Sequence, residues 1–265
     1  MSKRPSEPQR PEPELEDAFD RLVEEGEDRL ARPLLQLFST ALLGGIDVGM
    51  GVLAYLIVDD QTHSTLLAGL AFSLGFVALL LAGSELFTEN FLVPVVTVVA
   101  GRSGWVALAR LWVLTLVLNL LGGWIVTWLI ITARPDLRAT AVKVGTHYAD
   151  LGINIHSFTL AVLAGAAITL MTRMQHASES LGVQLVPAIL FGALLAGGQL
   201  FHSVLDSLFM FAGLWAAAPY GYLNWLGAMG WSALGNVVGG VVLVTFLRLL
   251  RMQHKVTESR DEQPG

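Results

Sequence analysis

The sequence predicts an all-α membrane protein: six transmembrane spans arranged as two inverted three-helix repeats, each repeat carrying one broken helix. Three observations predict it. Apolar residues make up 54% of the chain and charged residues only 14%, well under the ~25% charge of a typical globular chain. The apolar run that begins near Thr65 is interrupted by Gly83-Ser84-Glu85-Leu86-Phe87-Thr88-Glu89-Asn90 and resumes at Phe91. A related interruption, Gly197-Gly198-Gln199-Leu200-Phe201-His202-Ser203, divides a second apolar run further along. Setting Gly83 against Gly197 pairs Glu85 with Gln199, Leu86 with Leu200 and Phe87 with Phe201. The same order holds for Asn119-Leu120-Leu121-Gly122-Gly123 and Asn236-Val237-Val238-Gly239-Gly240. Together these pairs read as a duplicated unit.

A helix needs roughly 20 apolar residues to cross a bilayer. Both polar motifs therefore fall where a span is still in progress. Irregular backbone at that depth is tolerated only where protein buries it or a cavity borders it. The rest of the chain is then expected to form a shell around the two breaks.

Taken in order, residues 1–13 carry Pro5, Pro8, Pro11 and Pro13 and are expected to be disordered. Residues 14–30 place Leu15, Phe19, Leu22, Val23 and Leu30 near helical spacing between charges, the pattern of an amphipathic helix lying on the cytoplasmic face. The first span covers 33–58. It contains Gly44, Gly45, Gly49 and Gly51, which allow close helix approach, and also Asp47. Asp59, Asp60 and His63 follow in what reads as a short solvated loop rather than a metal site. The second span is the first broken helix, and the third covers 106–131. A long polar connection, 132–157, opens with Arg134-Pro135, a helix-stop signal. The fourth span covers 158–174, the fifth is the second broken helix with Pro187 in its first half, and the sixth covers 223–249. The domain plan is a cytoplasmic N-terminal tail (1–32), a transmembrane channel domain (33–249) and a cytoplasmic C-terminal tail (250–265).

Orientation follows from basic residues in short loops. With six spans starting inside, Arg29, Arg32, Arg102, Arg110, Arg173, Arg248, Arg251 and Lys255 fall on one side. Only Arg134, Arg138 and Lys143 go against this pattern. Both termini are then cytoplasmic, in a multi-pass protein of the cell (inner or plasma) membrane with lipid around it. The first thirty residues show no signal-peptide pattern. Several classes drop out. The chain has no cysteine, and no His/Asp/Glu group has convincing metal-ligand spacing. It lacks a Gly-x-Ser-x-Gly motif and a basic patch interleaved with aromatics. No enzyme, metal, cofactor or nucleic-acid partner is expected.

Three spans per repeat place the second copy upside down relative to the first. Such inverted repeats put a solute site near the midplane, at the breaks of discontinuous helices. The residues there are Glu85, Leu86, Phe87, Thr88, Glu89 and Asn90 of the first motif, and Leu195, Phe201, His202 and Asp206 of the second. His202 is the one histidine inside a predicted span. It either offers a proton or hydrogen bond to a solute or satisfies backbone groups freed by the break. Thr88 either presents its hydroxyl to a solute or caps the helix restarting near Asn90. The restarting helices aim N-terminal amides inward, which favours anions. Leu86, Phe87, Leu195 and Phe201 form apolar slits or pack as ordinary core. Asp47, Glu85, Glu89 and Asp206 are ionisable groups at membrane depth, costly and commonly functional. Asp206 lies one helical turn from His202, close enough to offset a charge on its ring. Asn119 and Asn236 are read as holding helices together.

Phe72-Ser73-Leu74-Gly75 and Gly83-Ser84-Glu85-Leu86-Phe87-Thr88, with Phe201-His202-Ser203-Val204 and Gly235-Asn236-Val237-Val238-Gly239-Gly240, resemble the formate/nitrite transporter family. The likeness covers about residues 32–249. The resemblance implies an aquaporin-like protomer assembled as a homopentamer and passing a small monovalent anion or its conjugate acid. It maps the family's central histidine to His202, its mobile-loop threonine to Thr88 and its loop leucine to Leu86. The sequence departs from the family at Phe201, where Glu is usual, and at Asp206, where Asn is common. Gly165 stands for an Asn in the fourth span, Leu195 for an apolar residue that is often Phe, and Glu89 for a small residue. These departures mark a divergent member. The function expected is a formate- or nitrite-like channel, proton-linked through the central histidine. The alternatives are the same fold passing a neutral or cationic solute, and a membrane scaffold or sensor without transport.

Overall fold

The computed structural model describes residues 13–261, with side chains from residue 19. The Pro-rich tail, residues 1–12, lies outside the described residues. Helix α1 (Pro13–Ala31) is followed by α2 (Leu34–Thr62) and α3 (Thr65–Ala82). A 3-10 turn (Phe87–Phe91) and the short α4 (Val93–Val99) complete the first broken element. Next come α5 (Trp105–Ala133), α6 (Arg138–Asp150) and α7 (Ile155–Gln175). Helices α8 (Leu181–Gly197) and α9 (Ser203–Trp215) flank the second break. Helix α10 (Tyr222–Val237) widens into a π-helical stretch (Val238–Phe246), continues as α11 (Leu247–Arg251), and leads to α12 (Gln253–Asp261).

Among the described residues, five helical stretches are long and apolar enough to cross a bilayer: α2, α3, α5, α7 and the continuous run Tyr222–Arg251. Helix α8 is apolar but has 17 residues. The outward faces are apolar too. Leu66, Leu67, Leu70, Leu74 and Leu81 of α3 all stand exposed at helical spacing, which suits a hydrocarbon solvent. The chain is an all-α membrane protein.

The two halves repeat one packing scheme. Helix α2 packs on α5, α7 packs on α10 and its π-helical continuation, and α3 lies along α8 between the halves. Both long pairs depend on backbone contact at glycine. A Cβ on Gly45 would collide with the Asn119 carbonyl, and one on Gly165 with the Asn236 carbonyl. Gly165, read from the sequence as a missing polar side chain, is thus a close-approach position.

Helix α1 is laid on the α4 end of the bundle. Phe19, Leu22, Val23 and Leu30 are all buried, and Phe19 and Val23 share a cluster with Leu92, Val96 and Ala100. Helix α12 reaches the same face, where Arg260 Nε donates to the Val99 carbonyl (2.7 Å) and Lys255 lies 3.6 Å from Asp20. Both ends of the described chain therefore share one face, here called the α1 face.

Two expectations are corrected on the opposite face. The polar connection 132–157 contains a helix, α6. Thr140, Ala141, Val144, Gly145 and Tyr148 make a buried stripe at helical spacing, which Arg138, Lys143 and His147 between them disguise. Asp59 and Asp60 belong to α2 rather than a solvated loop. Asp59 is buried and paired with Lys143 (2.8 Å), and Asp60 accepts from the Thr140 hydroxyl (2.8 Å). These contacts fasten α6 to the end of α2.

Candidate functional site

Both broken helices end in the same way. In the first, Gly83 N donates to Leu80 O (3.4 Å) and Ser84 N to Leu79 O (3.1 Å). In the second, Gln199 N donates to Ala196 O (3.3 Å) and Leu200 N to Leu195 O (3.1 Å). The turning residues are Gly83 (φ 63°) and Gln199 (φ 49°), both left-handed. The register of the repeat is therefore two residues away from the one the motifs suggest. Gly83 corresponds to Gln199, not Gly197; Glu85 corresponds to Phe201, Leu86 to His202, Thr88 to Val204 and Asn90 to Asp206. Glycine identity misleads here because the second copy makes the left-handed turn with a glutamine.

Breaking a helix inside a membrane strands backbone groups, each costing ~1–3 kcal/mol if left unpaired. Two asparagines take them up identically. Asn119 Oδ1 accepts from Phe87 N (2.9 Å), while its Nδ2 donates to Glu85 O (2.8 Å) and Ala41 O (2.7 Å). Asn236 Oδ1 accepts from Ser203 N (2.9 Å), while its Nδ2 donates to Phe201 O (2.9 Å) and Ala161 O (2.8 Å). Each amide clamps a break to two helices.

The breaks meet at Thr88 and His202. Thr88 Oγ1 and His202 Nε2 are 2.9 Å apart, and both residues are fully buried. Thr88 lies within the 3-10 turn, and α4 begins five residues later without a side-chain cap. The hydroxyl therefore serves His202 and caps no helix. His202 is itself the N-cap of α9, its Nδ1 accepting from Leu205 N (3.0 Å). An imidazole that accepts at Nδ1 carries its proton on Nε2, so Nε2–H donates to Thr88. Asp206 Oδ2 accepts from the backbone N of His202 (2.6 Å), not from its ring. The expected ring–carboxylate pairing is absent, because the tight turn before α9 brings the backbone amide to the carboxylate first. Most of the amides at the start of α9, that of Val204 excepted, are taken within the protein, which weakens the expected attraction for an anion there. The N–H groups of His202, Ser203, Leu205 and Asp206 already donate to Asp206, Asn236, the His202 ring and the His202 carbonyl.

The remaining sequence-predicted residues divide among different surroundings. Leu86, Leu195 and Phe201 are completely or almost completely buried. Phe87 packs edge-on against Phe91 and Trp112, an ordinary interior contact. Phe201 stacks on Tyr148 of α6 (ring centroids 6.4 Å), which also stacks on Phe209 (5.8 Å). Tyr148 thus puts an aromatic wall on the α6 side of His202, a role that the sequence hid inside a polar connection. The four acids do not form one group: Asp47 accepts from the Ser84 hydroxyl (2.6 Å), Asp206 holds the His202 amide through Oδ2 while its Oδ1 is buried without a hydrogen-bond partner among the described residues, and Glu85 and Glu89 face the α1 side.

There a cavity of about 410 Å³ is bordered by Glu25, Asp28, Arg29, Arg32, Glu85, Glu89 and His176 among others. Glu85 is fully engaged. Arg32 Nη1 lies 2.6 Å from Oε1, and Oε2 accepts from Asn90 Nδ2 (3.1 Å), with Arg29 at 3.9 Å. Arg29 also holds Glu25 (2.5 Å), which in turn meets His176 Nε2 (2.7 Å). Burial would raise the Glu25 carboxyl, but the His176 and Arg29 contacts outweigh it and hold it down at about 2. Sequence reasoning missed Glu25, Arg29, Arg32 and His176 as neighbours of the first break. The signal was present in α1, where Glu25 and Arg29 lie one turn apart on its polar side and Arg32 follows at its end.

Comparisons with known proteins add to this geometry. The model of the formate/nitrite transporter family matches residues 16–250. The inner membrane protein YfdC of Escherichia coli (strain K12) is 26% identical over 91% of this chain and 80% of its own length. The formate channel FocA of the same strain is 24% identical over 86% of this chain and 90% of its own. Among solved structures, an FNT family ion channel superposes with a TM-score of 0.77 at 18% identity, covering 88% of this chain and 98% of the other. A pentameric formate channel with formate bound superposes with a TM-score of 0.69 at 23% identity, covering 83% and 97%.

Proposed function

Because the chain belongs to the formate/nitrite transporter family, we propose that it is a multi-pass inner-membrane channel for a small monovalent anion of the formate or nitrite kind, crossing the midplane as its neutral conjugate acid. The observation that carries this reading is the buried Thr88–His202 hydrogen bond between two helix breaks. A solute arriving there can replace that bond, taking the Nε2–H of His202 and the Thr88 hydroxyl in its place. An ionised solute would leave water for a fully buried midplane where most α9 amides are already used, at a cost of several kcal/mol. The neutral acid avoids that cost. His202 then acts as a neutral donor. Protonating Nδ1 would destroy the α9 cap, so the ring is poorly suited to shuttle protons. Leu86, Leu195 and Phe201 exclude water on either side, with Tyr148 behind Phe201.

The assembly proposed is a homopentamer with one pore per protomer, in keeping with the pentameric relative. Residues 33–249 form the channel, and the segments on either side of it are cytoplasmic. The basic residues Arg29, Arg32, Arg102 and Lys255, all close to α1 or α12, support this assignment.

The test is flux into proteoliposomes against a panel of solutes. Acid-stimulated uptake of formate or nitrite supports the reading. Uptake of ammonium or an uncharged solute without either anion refutes it. Absence of all flux, while a formate channel reconstituted in parallel conducts, points to the scaffold alternative.

A further inference from the structure

The loop of the first break carries two carboxylates with opposite fates. Glu85 is paired on both oxygens. Glu89, one residue beyond Thr88, is 8% exposed and borders the same cavity. No hydrogen bond or ion pair among the described residues engages its carboxylate. A carboxylate kept at membrane depth without a partner is expensive, and such groups are commonly functional.

The groups that face Glu89 limit what it can do. Helix α1 contributes Glu25, Asp28 and Arg29, the connection to α2 contributes Arg32, the loop contributes Glu85 and α7 contributes His176. Both guanidiniums are already committed, Arg32 to Glu85 and Arg29 to Glu25, Asn90 and Glu85. The cavity thus holds four carboxylates against two guanidiniums. It concentrates protons rather than anions. Asp28 on its rim is exposed, so the cavity connects with water on the α1 face. The equivalent position in the second repeat is Leu205, which cannot carry a proton. Proton chemistry is available on one side of the Thr88–His202 bond and not through the same device on the other.

We propose that Glu89 is the proton-exchange residue of this vestibule, loading and unloading the solute beside the pore centre. This rests on the weak-acid reading above. In one direction the Glu89 carboxylic acid gives its proton to the arriving anion, becoming a carboxylate as the neutral acid forms. In the other, the Glu89 carboxylate takes the proton from the emerging acid and releases the anion, and cavity water then carries the proton away. From the α1 face the solute meets Glu89 before Thr88 and His202 receive it, so it reaches the dry section already neutral. The role divides labour: Glu85 with Arg32 fixes the loop, Glu89 exchanges protons and His202 orients.

The experiment uses formate flux in right-side-out and inverted membrane vesicles of a host without its own formate channels, with pH varied separately on each face. For the wild-type protein, flux rises as the α1 face is acidified. Glu89→Gln lowers flux at least about tenfold near neutral pH, a conservative figure for loss of a positioned acid–base group, and flattens its response to pH on the α1 face. The response to pH on the α6 face is kept. Glu89→Asp, which keeps a carboxyl, restores most of the flux and the α1-face response. Glu89→Gln flux within about twofold of wild type, with its α1-face response intact, overturns the proposal. If Glu89→Gln does not assemble, Glu89→Ala decides in its place: lowered flux with a flattened α1-face response supports the proposal, and flux within about twofold of wild type with that response intact overturns it. Wild-type vesicles that pass neither formate nor nitrite would instead sink the weak-acid reading itself.

Discussion

Asn119→Ala gives the sharpest test of how the breaks are held. The side chain supplies three hydrogen bonds, to Phe87 N, Glu85 O and Ala41 O, all between 2.7 and 2.9 Å. Alanine leaves Phe87 N and Glu85 O unpaired, whereas Ala41 O keeps its bond within α2. At ~1–3 kcal/mol per stranded group the gross loss is ~2–6 kcal/mol, and water entering the space recovers part of it. A net ~3 kcal/mol is the working value. For a chain of this size it lowers the melting temperature by roughly 6–12 °C, measurable by tryptophan fluorescence in mild detergent. The repeat supplies an internal control. Asn236 makes the same three contacts at the same distances within 0.1 Å or so, so Asn236→Ala has a matching effect. Asn119→Asp is worse than alanine, because it keeps the acceptor for Phe87 N but sets a second oxygen against two carbonyls. A shift under about 2 °C for Asn119→Ala would mean that the break is held by packing alone. Unequal shifts for the two asparagines would refute the equivalence of the repeats.

Three further outcomes follow from the same contacts. His202→Asn keeps a competent N-cap for α9 but loses the reach to Thr88, so flux drops about tenfold, the value of one hydrogen bond near 1.4 kcal/mol, while its pH profile keeps its shape; a displaced profile would restore a proton-carrying ring. Arg32→Ala deprives Glu85 of its 2.6 Å partner and loosens α1 from the loop, seen as faster proteolysis within α1, whereas the double change with Glu85→Gln recovers protection; equal proteolysis in all three would show that the pair does not hold α1. Glu25, held at about 2 in the folded protein, has an ordinary carboxyl near 4.3 when α1 is free. Its contribution to α1 docking is therefore complete above about pH 5 and is lost as pH falls from there toward 2, so proteolysis of α1 with an acid-active protease rises only in that window; release already at pH 6 would contradict the assignment.

How far the molecule was legible in its sequence differs from element to element. The positions of both breaks could be read, because Glu85, Thr88, Glu89, Gln199, His202 and Ser203 interrupt runs that are otherwise apolar. Their register could not. A short identity search rewards matching glycines, but the physical requirement is a residue with positive φ, met by Gly83 in one copy and Gln199 in the other. Helix α6 was obscured for a related reason. Its buried stripe contains Thr140, Gly145 and Tyr148, which count as polar or neutral in a hydropathy reading even when every one faces the core. The Arg32–Glu85 and Lys143–Asp59 pairs join residues far apart in sequence; charge spacing along a single helix carries no trace of them. The widened π-helical stretch also gave no warning, although Gly240 and Thr245 within it meet Phe91 of the first break.

With the register set by the turns rather than the motifs, the repeat separates two demands on the same backbone. Positions that make the breaks possible are equivalent in both copies: the left-handed turn, the asparagine clamp and the glycine beneath each asparagine. The positions proposed to meet a solute are not equivalent. Leu86 faces the place of His202, Glu85 that of Phe201, Thr88 that of Val204, and Glu89 that of Leu205. One copy therefore contributes an imidazole, an aromatic wall and the buried Asp206 carboxyl at the start of α9; the other contributes a hydroxyl and two carboxyls that border the α1-face cavity. If both halves were chemically alike, a weak acid would meet the same surroundings from either face and no side could favour proton exchange. Keeping the frame duplicated and the chemistry unlike gives the pore a dry aromatic side and a wet acidic side without any change of fold. The Thr88–His202 bond lies at the boundary between them, which is where the proposed pathway passes a solute from the acidic vestibule into the dry section.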